Sequence, residues 1–183
     1  MTREALMERC AVEALPDLGT LGRTLYVGAN TRRFDLYRLF EPSSLYVLEA
    51  WDPNVRALRQ ATHLPLAGVI LGDVLQAAEL PEIAALAPFD LLCWWHGPEH
   101  VAEGLLAPFI GPSGRLHRLY SRAVLMGAPW GRYEQGAAGG NPYEVHRSTL
   151  LPVFFENLGY QVNTVGRQDC PDGHITAWRR APA

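Results

Sequence analysis

The sequence predicts an α/β domain: a mostly parallel seven-stranded sheet, helices on both of its faces, and an antiparallel last strand. Three observations predict it. Continuous apolar runs such as Leu45-Tyr46-Val47-Leu48 and Leu91-Leu92-Cys93-Trp94-Trp95 recur along the chain, as strands covered on both faces require. Segments with apolar residues at three- and four-residue spacing separate them. The last two runs are joined by a turn containing Asp172-Gly173, a hairpin signal.

Residues 1–22 form an N-terminal helix and lead-in. Leu6, Met7, Cys10, Ala11, Ala14 and Leu15 recur at helical spacing, and Pro16 ends the helix. Arg23 to Gly28 is a β-prone run closed by Gly. The next helix takes its buried face from Phe34, Leu36, Tyr37, Leu39 and Phe40. Leu45 to Glu49 is the second strand, and Asp52-Pro53 opens a helix with Pro at its first position, ahead of Val55, Leu58 and Ala61. Gly68 to Gly72 is the third strand, before Asp73 and an Ala/Leu-rich helix. Phe89 to Trp95 is the fourth, before a helix around Val101 to Leu106, and Ala123 to Gly127 is the fifth. Ser148 caps a helix through Phe154, Phe155 and Leu158 that stops at Gly159. Strands at Tyr160–Val165 and His174–Trp178 close the order. Residues 128–147, rich in Gly and aromatic residues, form a loop longer than a connection needs, which marks it as functional.

With 183 residues, 48% hydrophobic and 19% charged, the chain reads as a single domain over 1–183 without repeat or linker. Its 16 basic residues are all Arg. The lack of Lys excludes Schiff-base chemistry and the Lys-bearing phosphate loop. Cys10, Cys93 and Cys170 are odd in number and far apart, which points to reduced thiols. Residues 61–110 carry Asp73, Glu79, Glu82, Asp90, Glu99 and Glu103 but no Arg, so no nucleic acid is expected there. Arg115, His117, Arg118 and Arg122 read as a solvated basic face. With no apolar run long enough to span a bilayer and no signal-peptide pattern, no membrane contact and a cytoplasmic location are expected.

Several local words in this order resemble class I S-adenosylmethionine-dependent methyltransferases, from about Arg23 to Arg180. Tyr26-Val27-Gly28-Ala29-Asn30-Thr31-Arg32 matches the family's first strand and Gly-rich turn, with Gly28 kept, Tyr26 in the acidic position, and Asn30 and Arg32 in place of glycines. Leu48-Glu49-Ala50 resembles the end of the second strand, Gly72-Asp73-Val74 the end of the third, and Glu99-His100-Val101 the words after the fourth. Asn141 to Ser148 and Phe154 to Tyr160 resemble the approach to the last helix and sixth strand of small-molecule members.

The resemblance implies a three-layer Rossmann-like fold, S-adenosyl-L-methionine as cofactor, and methyl transfer to a small-molecule acceptor. The alternative it leaves open is a catalytically inactive methyltransferase-like binding or regulatory domain. A homodimer is also left open. Gly28 lets the backbone approach a ligand, and Asn30 preserves the turn by tolerating positive φ. Arg32 either pairs with the methionine carboxylate or fills the pocket. Glu49, with Ala50 beside it, accepts from two ribose hydroxyls, and Asp73 and Val74 lie near the adenine. Trp94 and Trp95 alternate faces, one in the core and one on the crevice, where a π face suits a sulfonium. His96 is the first candidate base and His146 the second. Loop 128–147 is the acceptor-side wall and partly a mobile lid, with Trp130, Tyr133 and Tyr143 supplying rings.

Two other chemistries are set aside. His96-Gly97-Pro98-Glu99-His100 has the H-x-x-E-H form of a zinc peptidase class, but that needs both His on one continuous helix, and Pro98 places the helix start after His96. No metal is expected. The first turn lacks two of the three glycines of a dinucleotide fingerprint, which disfavours a nicotinamide oxidoreductase.

Overall fold

The computed structural model describes residues 1–16, 21–30, 43–61 and 66–182. Arg32 and the helix expected around Phe34 to Phe40 lie outside them.

Thr2 caps α1 (Arg3–Ala14), its hydroxyl accepting from the Ala5 N–H at 3.1 Å. The far end is closed from across the molecule: Arg180 donates to the carbonyls of Ala14 and Glu13, which a helix end leaves without partners. The other elements are β1 (Arg23–Val27), β2 (Ser44–Glu49), α2 (Asp52–Gln60), β3 (Leu66–Leu71), α3 (Pro81–Leu86), β4 (Phe89–Trp95), α4 (Glu103–Ile110), β5 (Tyr120–Pro129), α5 (Pro152–Glu156), β6 (Gln161–Val165) and β7 (His174–Arg180).

The strands form one sheet in the order β3-β2-β1-β4-β5-β7-β6. β1 to β5 pair in parallel, and β7 runs antiparallel between β5 and β6. Period-two alternation divides the core between the two faces. Leu6, Met7 and Cys10 of α1, with Leu58 of α2, pack over Tyr26, Val47, Cys93, Trp95 and Leu125. On the opposite face, Ile83 of α3, Leu106 and Ile110 of α4 and Phe155 of α5 pack over Leu25, Leu48, Leu92, Trp94 and Val124. These are the three layers expected. Truncating a wholly buried Leu such as Leu6 or Leu92 to Ala should cost about 2–5 kcal/mol.

Four local expectations need correction. The Ala/Leu-rich helix after Asp73 is a 3₁₀ turn (Val74–Glu79) followed by α3, because Pro81 cannot continue a helix and starts a new one. The helix around Val101 is a 3₁₀ turn over Pro98–His100, with α4 beginning at Glu103. Ser148 is not a cap: α5 begins at Pro152, preceded by Leu151, and Ser148 instead donates its N–H to the Glu99 carbonyl. The basic cluster is solvated at Arg115, which pairs with Glu79 on the surface, and at Arg118, and needs correction at His117, which is turned onto Arg179.

Candidate active site

The first four strands end along one edge of the sheet. β1 and β4 are neighbours there although they are far apart in sequence, so the connections on either side diverge and leave the crevice at which open α/β sheets bind ligands. Gly28, at the end of β1, has φ +67°, and a Cβ on it would meet nothing within 4 Å. The backbone there is open to a ligand, and only glycine adopts that φ without strain. Asn30 has φ +48°, so the turn survives in the way its residue type allows.

Glu49 ends β2 and is buried, with 4% of its surface exposed. Its Oε2 accepts from the Asn30 N–H and its Oε1 from the Trp51 N–H, each at 3.1 Å, and the Asn54 side chain is a third partner. Burial raises its pKa above the usual carboxylate value, and those three hydrogen bonds oppose the rise. Asp73 caps the 3₁₀ turn, its Oδ1 accepting from Leu75 at 2.9 Å, while bordering the crevice.

Trp94 and Trp95 lie on opposite faces, both almost wholly buried. Each ring lies on a glycine: a Cβ at Gly97 would fall 1.8 Å from Trp94 Nε1, and one at Gly127 2.4 Å from the Trp95 ring. Both indoles are core residues that also border a cavity, so the expected division into one core ring and one crevice ring does not hold.

Two cavities meet at this edge. The first, of about 350 Å³, is lined by Gly28, Glu49, Ala50, Asp73, Val74 and Trp94 among others. The second, of about 360 Å³, is lined by Trp95, Glu99, Tyr133, Gln135, His146 and Cys170 among others. Gly28, His96, His100 and Glu144 border both. His96 turns the chain out of β4 with φ +52°, a conformation that costs a non-glycine residue strain and is found at functional sites. Its Nδ1 lies 3.5 Å from Glu99 Oε1, and its Nε2 is buried without a hydrogen-bond partner.

The long loop follows β5, whose strand runs on through Pro129. It is pinned by a bridge between Gly131 and Leu150 and by the Gln135 side chain on the Glu144 carbonyl at 2.9 Å. Tyr133, Gln135 and His146 wall the second cavity, and Tyr143 and Arg147 the first, so the segment serves both. Trp130 does neither; it packs against the core. His146 reaches the crevice, as expected of a loop end. Sequence reasoning missed Glu144 as a bridge, its carboxylate meeting Asn30 Nδ2 at 3.4 Å and Gln135 Nε2 at 3.2 Å. No spacing signal could have found it.

No family model matches the chain, and no curated protein matches it by sequence. Solved structures do. The N-methyltransferase NodS from Bradyrhizobium japonicum WM9, in complex with S-adenosyl-L-homocysteine, superposes with TM-score 0.66 at 14% identity, over 99% of this chain and 86% of that one. The N-terminal domain of EvdMO1, solved with the same nucleoside and D-fucose, gives 0.62 at 18%, over 100% and 84%. This chain has the class I methyltransferase fold. A Rhodobacter sphaeroides structure described as a putative Zn-dependent alcohol dehydrogenase gives 0.64 at 15%, over 94% and 89%. The strand order separates the two readings: a dinucleotide-binding sheet runs 3-2-1-4-5-6, without an antiparallel β7 inserted before β6. Among the described residues no helix is long and apolar enough to cross a membrane.

Proposed function

We propose that the protein transfers a methyl group from S-adenosylmethionine to a small-molecule acceptor. The observation that carries this reading is the pair of cavities sharing Gly28, His96 and Glu144, one lined by the ends of β1 to β4 and the other by loop 128–147. A transferase needs two such sites with one junction, because the methyl carbon must face both sulfur and acceptor in line. Neighbours of the same fold solved with S-adenosylhomocysteine support the choice of cofactor, and its assignment to the first cavity rests on Gly28, Glu49 and Asp73 lining that cavity.

In this reading the Gly28 backbone approaches the methionine portion, Glu49 accepts from the ribose, and Asp73 and Val74 flank the adenine. Arg32, outside the described residues, would answer the methionine carboxylate. The acceptor's lone pair attacks the methyl carbon, the carbon–sulfur bond breaks, and its electron pair goes to sulfur, leaving neutral S-adenosylhomocysteine. An acceptor that carries a proton passes it to His96, which borders both cavities. His146 stands in the wall of the acceptor cavity. The free thiols Cys10, Cys93 and Cys170 suit the reducing cytoplasm as the compartment.

Calorimetric titration with S-adenosylhomocysteine beside NAD tests the cofactor, and heat from the first alone is expected. Binding of neither by folded protein would favour a partner-binding domain. A screen with labelled cofactor over metabolite pools tests the acceptor, and labelling confined to RNA or DNA would overturn the small-molecule assignment.

A further inference from the structure

We infer that Glu99, His100 and His146 bind one divalent first-row transition-metal ion in the wall of the second cavity. One ligand atom from each lies within 4.8 Å of the others, close enough for a single ion to draw them together. The two imidazoles are prepared for it. His100 Nδ1 lies 3.3 Å from the Val145 carbonyl and His146 Nδ1 lies 2.5 Å from the Tyr133 carbonyl. A carbonyl only accepts, so both rings carry their proton on Nδ1, and the lone pair of each is on Nε2. A carbonyl behind a histidine that fixes its tautomer is the usual support of a metal-bound imidazole.

Glu99 supplies an independent indication. Its side chain is 3% exposed, and its Oε2 is buried with no hydrogen-bond partner. A buried carboxylate oxygen left in this way is costly unless a cation meets it. Among the described residues its ionic contact is His96, which is charged only when protonated. The backbone also holds the ligands together: the N–H groups of Arg147 and Ser148 donate to the Glu99 carbonyl at 2.8 and 3.1 Å, tying the end of the loop to the turn that carries Glu99 and His100. All three side chains border the second cavity, so an ion has a route in and an exposed side.

Two imidazoles with one carboxylate favour manganese, iron, cobalt or zinc over calcium or magnesium. Three protein ligands leave coordination positions open, as in catalytic sites. Resting on the methyl-transfer reading, this deepens it: the acceptor is a hydroxyl compound. The ion holds the hydroxyl oxygen and makes it more acidic, and the proton passes to His96. The oxygen then attacks the methyl carbon as the carbon–sulfur pair leaves to sulfur, forming a methyl ether.

The test is a titration of the chelator-treated full chain with Co²⁺, followed by visible absorption and calorimetry, and repeated with Zn²⁺. One equivalent is expected to bind, with affinity falling at least about tenfold in His100→Ala and in His146→Ala. His117→Gln and Cys170→Ser should bind as the native chain does, the second because a cavity-lining thiol is not among the ligands. Circular dichroism and thermal unfolding establish that each variant is folded. His146→Asn, with a smaller change in volume, serves if the alanine variant is not. Lack of stoichiometric binding by the native chain, undiminished binding by both histidine variants, or loss of binding in Cys170→Ser would overturn the site. The titration is run without nucleoside, so cofactor binding without metal binding refutes this site alone. Metal binding without cofactor binding refutes the transferase reading and leaves the site.

Discussion

Glu49 offers the most quantitative test of the cofactor site. An ionised carboxylate presents about four lone-pair positions. The Asn30 and Trp51 N–H groups and the Asn54 side chain occupy three of them, which leaves room for one ribose hydroxyl where the sequence suggested two. A hydrogen bond to a charged group contributes about 1.5–3 kcal/mol, so losing it should weaken nucleoside binding about 10- to 150-fold. Glu49→Ala would strand two buried N–H donors at about 1–3 kcal/mol each, a serious loss for a domain stable by about 5–15 kcal/mol. Glu49→Gln is the better probe. It keeps one acceptor oxygen, removes the charge that burial penalises, and sets an amide against one N–H donor, a net cost of about 1–3 kcal/mol at most. That corresponds to a fall in Tm of about 2–12 °C.

The assay is calorimetric titration of S-adenosylhomocysteine into Glu49→Gln at a temperature where thermal unfolding shows it folded. Affinity within about twofold of the native chain would refute the ribose role and leave Glu49 as a clamp between the first two strand ends. The pH dependence supplies a second check. Because burial raises the Glu49 pKa from 4.5, protonation should weaken nucleoside binding at a higher pH than an ordinary Glu would. The stability sign is opposite: the folded state holds the proton more tightly, so the Glu49 contribution is present below 4.5 and declines as pH rises through the raised value. Glu49→Gln should abolish both trends.

Two further outcomes follow from local geometry. Gly97→Ala drives a methyl into the Trp94 indole, which is held against Phe109, and should cost about 1–3 kcal/mol with a changed near-ultraviolet spectrum and weaker nucleoside binding; unchanged spectrum and affinity would show that the ring is free to yield. Burial and the Arg179 guanidinium lower the His117 pKa below 6.5, so stability should decline as pH falls from about 7 through 6.5 toward the lower folded value, and urea unfolding of His117→Gln should show a flatter profile over that interval.

The fold was legible because each strand of a doubly covered sheet is a continuous apolar run, and β4, flanked on both sides, is the plainest of them. The Asp172-Gly173 turn likewise revealed the antiparallel β6–β7 pair. Helix boundaries were less legible. Pro81 and Pro98 break what periodicity alone would join, and the 3₁₀ turns that precede α3 and α4 carry no periodic signal of their own.

The site divides along a related line. Gly28, Glu49 and Asp73 occupy ends of successive strands, so element order alone brings them to one edge, and a local word suffices to find them. Glu144 and the association of His146 with Glu99 depend on where a twenty-residue loop returns, which is set by the Arg147 and Ser148 bonds to the Glu99 carbonyl and the Gln135 bond to Glu144. The H-x-x-E-H word illustrates the difference. Its reading as a helical zinc motif fails as expected, because His96 stands outside the Pro98–His100 turn. Yet its Glu99 and His100 do meet a second histidine, delivered from 46 residues beyond His100 by backbone hydrogen bonds that linear spacing does not encode. A motif can therefore be wrong about its partner histidine while its remaining Glu and His still gather one from elsewhere, and the tautomers selected by the Val145 and Tyr133 carbonyls make the proposed site testable in solution.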